Sequence, residues 1–333
     1  MLRGLATRTL GATGLGRMLR RLGRWEGVLV LNYHRVGDWS DPLWDRGLWS
    51  ASAPALAEQL GVLAREAEVV RADELEAAVH AGRGRRVALT FDDGYRDNHD
   101  VALPALRAAG LQATFFVATG FLDRPRVPWW DEVAWMVRRS PRPFLPATGP
   151  LAGPIAWGPG DDREPQVRAI AAALKPLRPA ELEALLDDLA DATGSGRCPV
   201  DWTRHWMTWD MVRTLREGGM AVGAHTIGHP MLSALDTDEQ RAEIEGSLAR
   251  LRAELGEPVT LFSYPYGLPS AHDARTIAIL REAGVETAFT YFGGVARPGG
   301  WDPLAVPRAS VAWSMDGAQF RSLVTLPRAF ARW

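Results

Sequence analysis

Cysteine is nearly absent. Cys198 stands alone, which excludes an internal disulfide framework and any site built from several thiolates, so a metal held by this chain needs imidazole and carboxylate ligands. Long apolar runs are missing as well. No stretch reaches membrane-spanning length, and the first 24 residues lack the uninterrupted apolar core of a secretory signal. A cytoplasmic or membrane-peripheral location is therefore expected. Charge of one sign is also lacking: the formal net charge of -2 over 333 residues provides no general field for nucleic acid, and no nucleic-acid module is visible. Nor is there an internal repeat to organise the chain.

What is present is an ordinary globular composition, 47% hydrophobic and 23% charged, in a chain long enough to bury a core without staples. Its first stretch is basic, with Arg3, Arg8, Arg17, Arg20, Arg21 and Arg24 among Leu and Met. Residues 1–26 are read as a separate basic segment. Such a segment can lie on an anionic membrane surface, although a solvated basic helix or a frayed end explains the same letters.

Beyond it, short apolar runs alternate with helical patterns. VLVLN (28–32), VALT (87–90), ATFFVA (113–118), MAVGA (220–224) and VTLFS (259–263) read as strands buried on both faces. Residues 54–64, 100–109, 208–216, 238–255 and 271–282 read as helices, several followed by the glycine expected past a helix end. The alternation argues for parallel strands with helical crossovers. From about 123 to 206 the rhythm breaks, with Pro and Gly concentrated around 141–165 and helical patterns near 129–139 and 179–191. This stretch is read as an insertion in a domain spanning 27–333. Its tryptophans (Trp129, Trp130, Trp135, Trp202, Trp206) are able to stack on sugar rings, but packing the insertion onto the rest of the domain is the favoured role for any one of them.

Polar residues collect just past the carboxyl ends of the strands, where parallel α/β folds build their sites. His34 follows the first strand, Asp92 and Asp93 the second, His225 and His229 the fourth, and Tyr264 to Gly267 the fifth. Adjacent carboxylates beside an apolar strand repel one another unless a cation or proton intervenes. With Gly94 permitting a sharp turn, one carboxylate can bind a metal while its neighbour faces substrate. A turn with a helix cap is the plainer reading of TFDDG taken alone. In HTIGH the imidazoles are four apart, on one face if the segment makes a helical turn. One carboxylate and two imidazoles supply three ligands and leave a position for water, as a catalytic zinc requires. Co²⁺, Mn²⁺ or Ni²⁺ suit the same donors.

These residues resemble the polysaccharide deacetylases of carbohydrate esterase family 4. TFDDG (90–94), HTIGH (225–229) and FSYPYG (262–267) are similar to its three ordered motifs, and NYHRV, ATFFVATG and MTWDMVRTLREGGMAVGAHT resemble a bacterial exopolysaccharide-modifying branch. The likeness runs from about 27 to 311. It implies a distorted (β/α) barrel, Asp92 as catalytic base, Asp93, His225 and His229 as metal ligands, Thr226 as support for the first histidine, and the Tyr266 N–H as a donor to the developing oxyanion. The implied reaction removes N-acetyl groups from amino sugars of a polysaccharide or a lipid-linked precursor, with water activated by a divalent metal, zinc foremost. A small-molecule amidohydrolase or esterase, or a noncatalytic glycan-binding protein, are the alternatives. The third motif departs from the family by carrying Ser263 where an arginine is usual, and no late Leu-His motif is evident. Arg308 is the expected substitute for that arginine, and His34, on the same rim, the expected general acid.

Overall fold

A computed structural model of the chain describes residues 23–38, 43–151, 153–158 and 160–331. Most of the basic segment lies outside the described residues. Its last residues, Trp25–Glu26, pair antiparallel with Arg83–Gly84.

Seven parallel strands close into a barrel: β1 (Val28–Tyr33), β2 (Arg86–Phe91), β3 (Thr114–Val117), β4 (Ala221–Ala224), β5 (Leu261–Ser263), β6 (Thr287–Gly293) and β7 (Val306–Ser310). Each pairs with the next in chain order, and β7 returns to β1 through Ala309↔Leu31 and Ser310↔Asn32. Two short strands lie outside the closure, Glu68–Val69 on β2 and Val295–Ala296 antiparallel on β1.

The strand runs are apolar at nearly every position because both faces are buried, and period 2 separates two cores. Outward residues such as Leu29, Leu31, Val87, Leu89, Phe115, Val222 and Phe262 belong to one cluster. It also contains Leu56, Leu60 and Leu63 of α1 (Ala53–Glu66). Inward residues Val28, Val30, Ala88, Phe116, Leu261, Phe289 and Val306 form another. A Cβ on Gly223 would stand 2.6 Å from the Phe116 ring, so glycine on β4 leaves the space that Phe116 fills. Continuing the inward parity, two residues on, gives Asn32, Thr90, Ser263 and Arg308. The barrel is thus plugged with hydrocarbon below and polar side chains above.

The longer helices outside are α2 (Leu103–Ala109), α3 (Trp129–Arg139), α4 (Glu164–Leu174), α5 (Pro179–Thr193), α6 (Trp209–Glu217), α7 (Thr237–Leu255), α8 (Ala274–Glu282) and α9 (Gly317–Thr325). Their ends carry the expected signals: the Ser52 side chain accepts from Ala55 N–H and that of Thr208 from Met211 N–H, while Gly110 and Gly256 adopt positive φ at the C-termini of α2 and α7.

Three elements depart from expectation. β6 and β7 are strands although Pro307, which has no N–H for the ladder, lies inside one and a register shift separates Phe289 from Gly293. α4 is an additional helix that begins at the edge of the Pro- and Gly-rich stretch, with Pro165 in its first turn, the one helical position that tolerates it. The tryptophans of the insertion, by contrast, take the packing role favoured for them. Trp129, Trp130, Trp135, Trp202 and Trp206 are all under 9% exposed, in a cluster with Tyr95, Phe121, Leu185 and Leu189.

Candidate active site

Asp92 and Asp93 follow β2 at the upper barrel mouth, and His225 follows β4. Backbone strain brings the groups together. Among the described residues the non-glycine residues with positive φ are Asp93 (77°), Thr226 (64°), His229 (61°) and Tyr266 (61°). Each such residue costs about 1–3 kcal/mol, and all of them lie in the motifs at this mouth. Gly94, at φ 88°, continues the turn after Asp93.

HTIGH is not a helical turn. The segment bends through the left-handed Thr226, whose hydroxyl donates to the His225 carbonyl (2.6 Å) and accepts the His229 N–H (2.9 Å). Glu243 of α7 accepts the N–H groups of Ile227 and Gly228, both at 2.8 Å. The result is the juxtaposition a helix would have given, with imidazole centroids 4.8 Å apart. Nε2 of His225 lies 3.4 Å and Nε2 of His229 3.5 Å from Asp93 Oδ1. These donor atoms all fall within 4.8 Å of one another.

The donor set fits a divalent cation. Asp93 Oδ1 is buried with no hydrogen-bond donor among the described residues. His225 donates its Nδ1–H to the Ser263 carbonyl at 2.7 Å, a bond that leaves the Nε2 lone pair for a metal. Burial, reinforced by His225, pushes the His229 imidazole down to about 3, so it is neutral and able to ligate, whereas Asp92 and Asp93 raise the pKa of His225 against its burial, an effect that a bound cation opposes. Burial opposes ionisation of Asp93, but the imidazoles of His225, His34 and His229 more than offset it and hold the carboxyl below its usual range.

Asp92 is held from a different quarter. Arg308, fully buried on β7, grips it with a two-pronged fork, Nη1 to Oδ1 and Nη2 to Oδ2, each 2.8 Å. The three remaining guanidinium hydrogens go to Ser263 Oγ (2.8 Å), to the Thr290 carbonyl (2.7 Å) and, shared from Nη1, to Asn32 Oδ1 (2.8 Å) and Thr90 Oγ1 (3.2 Å). Asn32 Nδ2 and Ser263 Oγ donate in turn to Asp92 Oδ2 at 3.2 and 3.3 Å. Burial would raise the Asp92 carboxyl, yet Arg308 and His225 outweigh it and keep the group far below the ordinary carboxylate range. Asp92 is therefore ionised at any working pH.

His34 and Tyr266 complete the wall. With the carboxylates and imidazoles they line a cavity of about 460 Å³. The His34 ring lies edge-on to Tyr291, centroids 5.4 Å apart, and burial lowers its pKa against the pull of Asp93 and Asp92. Tyr266 packs its ring on His229 (4.9 Å) and accepts a hydrogen bond from Trp129 Nε1 (3.3 Å). Its backbone N–H makes no hydrogen bond among the described residues.

Every candidate residue thus meets at one mouth. Sequence reasoning missed Asn32, Thr90 and Tyr291. For the first two the signal was there: a polar letter at inward parity in a strand buried on both faces.

The polysaccharide deacetylase model matches residues 80–140 and 187–288. The chain belongs to the polysaccharide deacetylase family. Both matched blocks contain motif residues of the mouth, and the unmatched interval between them holds α4 and the start of α5. Among solved structures, the chain is similar to the Streptococcus pyogenes deacetylase PplD in complex with acetate, at 16% identity over 92% of this chain and 98% of that one, with TM-score 0.57. It is similar to IcaB from Ammonifex degensii at 20% identity over 93% and 99%, with TM-score 0.53. For the BpsB deacetylase domain from Bordetella bronchiseptica the values are 16%, 86%, 96% and 0.54. At such identities the likeness is one of fold, the closed barrel with surrounding helices. No protein of curated function matches the sequence.

Proposed function

We propose that this member of the family hydrolyses N-acetyl groups of amino sugars in a polysaccharide or its lipid-linked precursor, with Asp93, His225 and His229 holding a divalent metal. The carrying observation is the pairing of an unsatisfied carboxylate, flanked by two imidazoles, with a second carboxylate anchored by arginine next to it. One carboxylate is left for a cation and the other is held for proton transfer. The family description and the deacetylases sharing the fold point to the acetyl amide. The Trp129–Tyr266 wall gives the cavity an apolar side suited to a sugar face.

When bound, the metal supplies Lewis acidity, lowering the pKa of a water and polarising the acetyl carbonyl. Asp92, fixed by Arg308 and Asn32, takes the proton of the attacking water. Arg308 keeps that carboxylate ionised and aimed, at some loss of basicity. The Tyr266 N–H donates to the carbonyl oxygen as charge develops there. His34 gives the leaving amine its proton, without which the C–N bond does not break. Because burial holds His34 neutral at rest, the proton it gives the amine is the one that Asp92 takes from the attacking water and passes on.

Acetate release from N-acetylglucosamine oligomers by metal-loaded protein tests the reading. Asp92→Asn should lower kcat by about 10²–10⁴, and His34→Ala should lower it while metal stays bound. A folded, metal-loaded protein that binds the oligomers and releases no acetate rules the hydrolase out. Undiminished turnover by His34→Ala removes that residue from the mechanism.

A further inference from the structure

Outside the barrel, the lining of the active-site cavity comes from three places: residues 45–48, with the carboxylate of Asp45, then Trp129 and Trp130 of α3, and the α4 region. Helix α4 and the residue just past it turn Arg168, Ala171 and Lys175 toward the cavity, a spacing of three and four that places them on one helical face. Lys175 also lines a second cavity of about 520 Å³ that adjoins the first along Trp129, His229 and Tyr266.

Lys175 is the only lysine in a chain with 38 lysines and arginines together, so arginine serves every other cationic position. Its ammonium lies 5.6 Å from the centroid of the Tyr266 ring and makes no ion pair or hydrogen bond among the described residues. Arg168 is bound to Glu164, but Glu164 also binds Arg138, which with Arg46 flanks Asp162, so the five groups together keep one positive charge. The other cation of the cavity, Arg308, is consumed by Asp92, Asn32 and Ser263. A lysine just past a helix C-terminus complements the helix dipole, but an arginine would do so equally well. The compact, freely rotating ammonium differs in presenting a point charge to whatever fills the cavity.

Filling the cavity removes water from that charge. A neutral sugar returns only hydroxyl dipoles, whereas an anion returns an opposite charge, and an ammonium desolvated against Tyr266 and Ala171 without one is costly. We propose that the Arg168–Lys175 face recognises an anionic group on the glycan, a carboxylate or phosphate next to the N-acetylated sugar, and so makes the enzyme selective for acidic glycans. The selectivity rests on the deacetylase reading; the binding site does not.

The experiment uses the full, metal-loaded chain and three probes: an N-acetylglucosamine tetramer, a tetrasaccharide alternating N-acetylglucosamine with glucuronate, and N-acetylglucosamine 1-phosphate. Wild type should prefer an acidic probe in kcat/KM, and the probe preferred separates the carboxylate source from the phosphate source. Lys175→Gln should lower the acidic-to-neutral ratio by about two- to five-fold, through KM rather than kcat. Lys175→Arg should restore much of it, and Lys175→Glu should invert it. Tryptophan-fluorescence titration reads binding without turnover. Charge-dependent, salt-sensitive binding of an acidic probe that is lost in Lys175→Glu upholds the site even if no probe releases acetate, an outcome that defeats only the hydrolase reading. A ratio that Lys175→Gln leaves unchanged, or binding indifferent to the charge at position 175, overturns the proposal.

Discussion

Arg308 is fully buried and spends its guanidinium on Asp92, Asn32, Thr90, Ser263 and the Thr290 carbonyl. Replacing it with methionine would leave an ionised carboxylate in the barrel with no counter-charge. Breaking a buried pair this way costs about 3–5 kcal/mol, so Arg308→Met should shift the urea midpoint far down and abolish acetate release in whatever protein still folds. Asp93→Asn makes a contrasting change. It keeps the shape, removes the charge between two imidazoles, and should eliminate tight metal binding in a calorimetric titration. Chelation of the wild type should lower its thermal midpoint, because a cation that binds only the folded state stabilises it, and Asp93→Asn should not respond to the chelator.

The candidate metal ligands were legible because they occur in compact motifs. The support for Asp92 was less so. Its arginine lies on another strand, and only the inward parity shared by Asn32, Thr90, Ser263 and Arg308 links these residues in the sequence.

At the scale of elements, the loop after β4 has no helix to stabilise it. It depends on the Thr226 hydroxyl and on Glu243, reaching across from α7 to two backbone N–H groups. Glu243→Ala would leave those donors without their acceptor. The expected loss is about 1–2 kcal/mol in chemical denaturation and about ten-fold in metal affinity, because His229 is positioned by that loop. Such a device was invisible in advance, since a spacing of four between histidines suggests helix. Five barrel strands and the helices beside them were readable from their apolar periodicity. β6 and β7 were not, because Pro307 and the glycines around 293 obscure a strand that tolerates them at a register shift. α4 was hidden by the glycines preceding it and by Pro165, a residue that starts the helix rather than prevents it.

Across the whole molecule, a buried polar seam joins the tryptophan cluster to the barrel rim. Asp131 accepts from the Asp45 N–H (2.7 Å) and the Tyr95 hydroxyl (3.2 Å), and Tyr95 accepts from Trp130 Nε1 (2.8 Å). Arg35, paired with Asp97, lies with its guanidinium 4.7 Å from the Tyr95 ring centroid. Burial pushes the Asp131 carboxyl up to about 7, against Arg35 and with help from Asp45. The folded state therefore holds a proton that the unfolded chain releases near the ordinary carboxylate value, and stability from this group falls as pH rises from about 4 to about 7. The expected observation is a thermal midpoint that declines over that range in wild type and declines less in Asp131→Asn, followed by scanning calorimetry. The seam thus ties the tryptophan cluster to the two cores of the barrel; among the described residues no helix is long and apolar enough to cross a membrane.

The fork that steadies Asp92 comes from a residue 216 positions further along the chain. During synthesis the first carboxylate motif emerges long before its counter-charge exists, and the imidazoles arrive in between. A nascent or truncated chain ending before β7 has an open barrel and an unneutralised Asp92. Competence for chemistry is thus a late event in the life of the polypeptide, acquired when its last barrel strand docks beside its first.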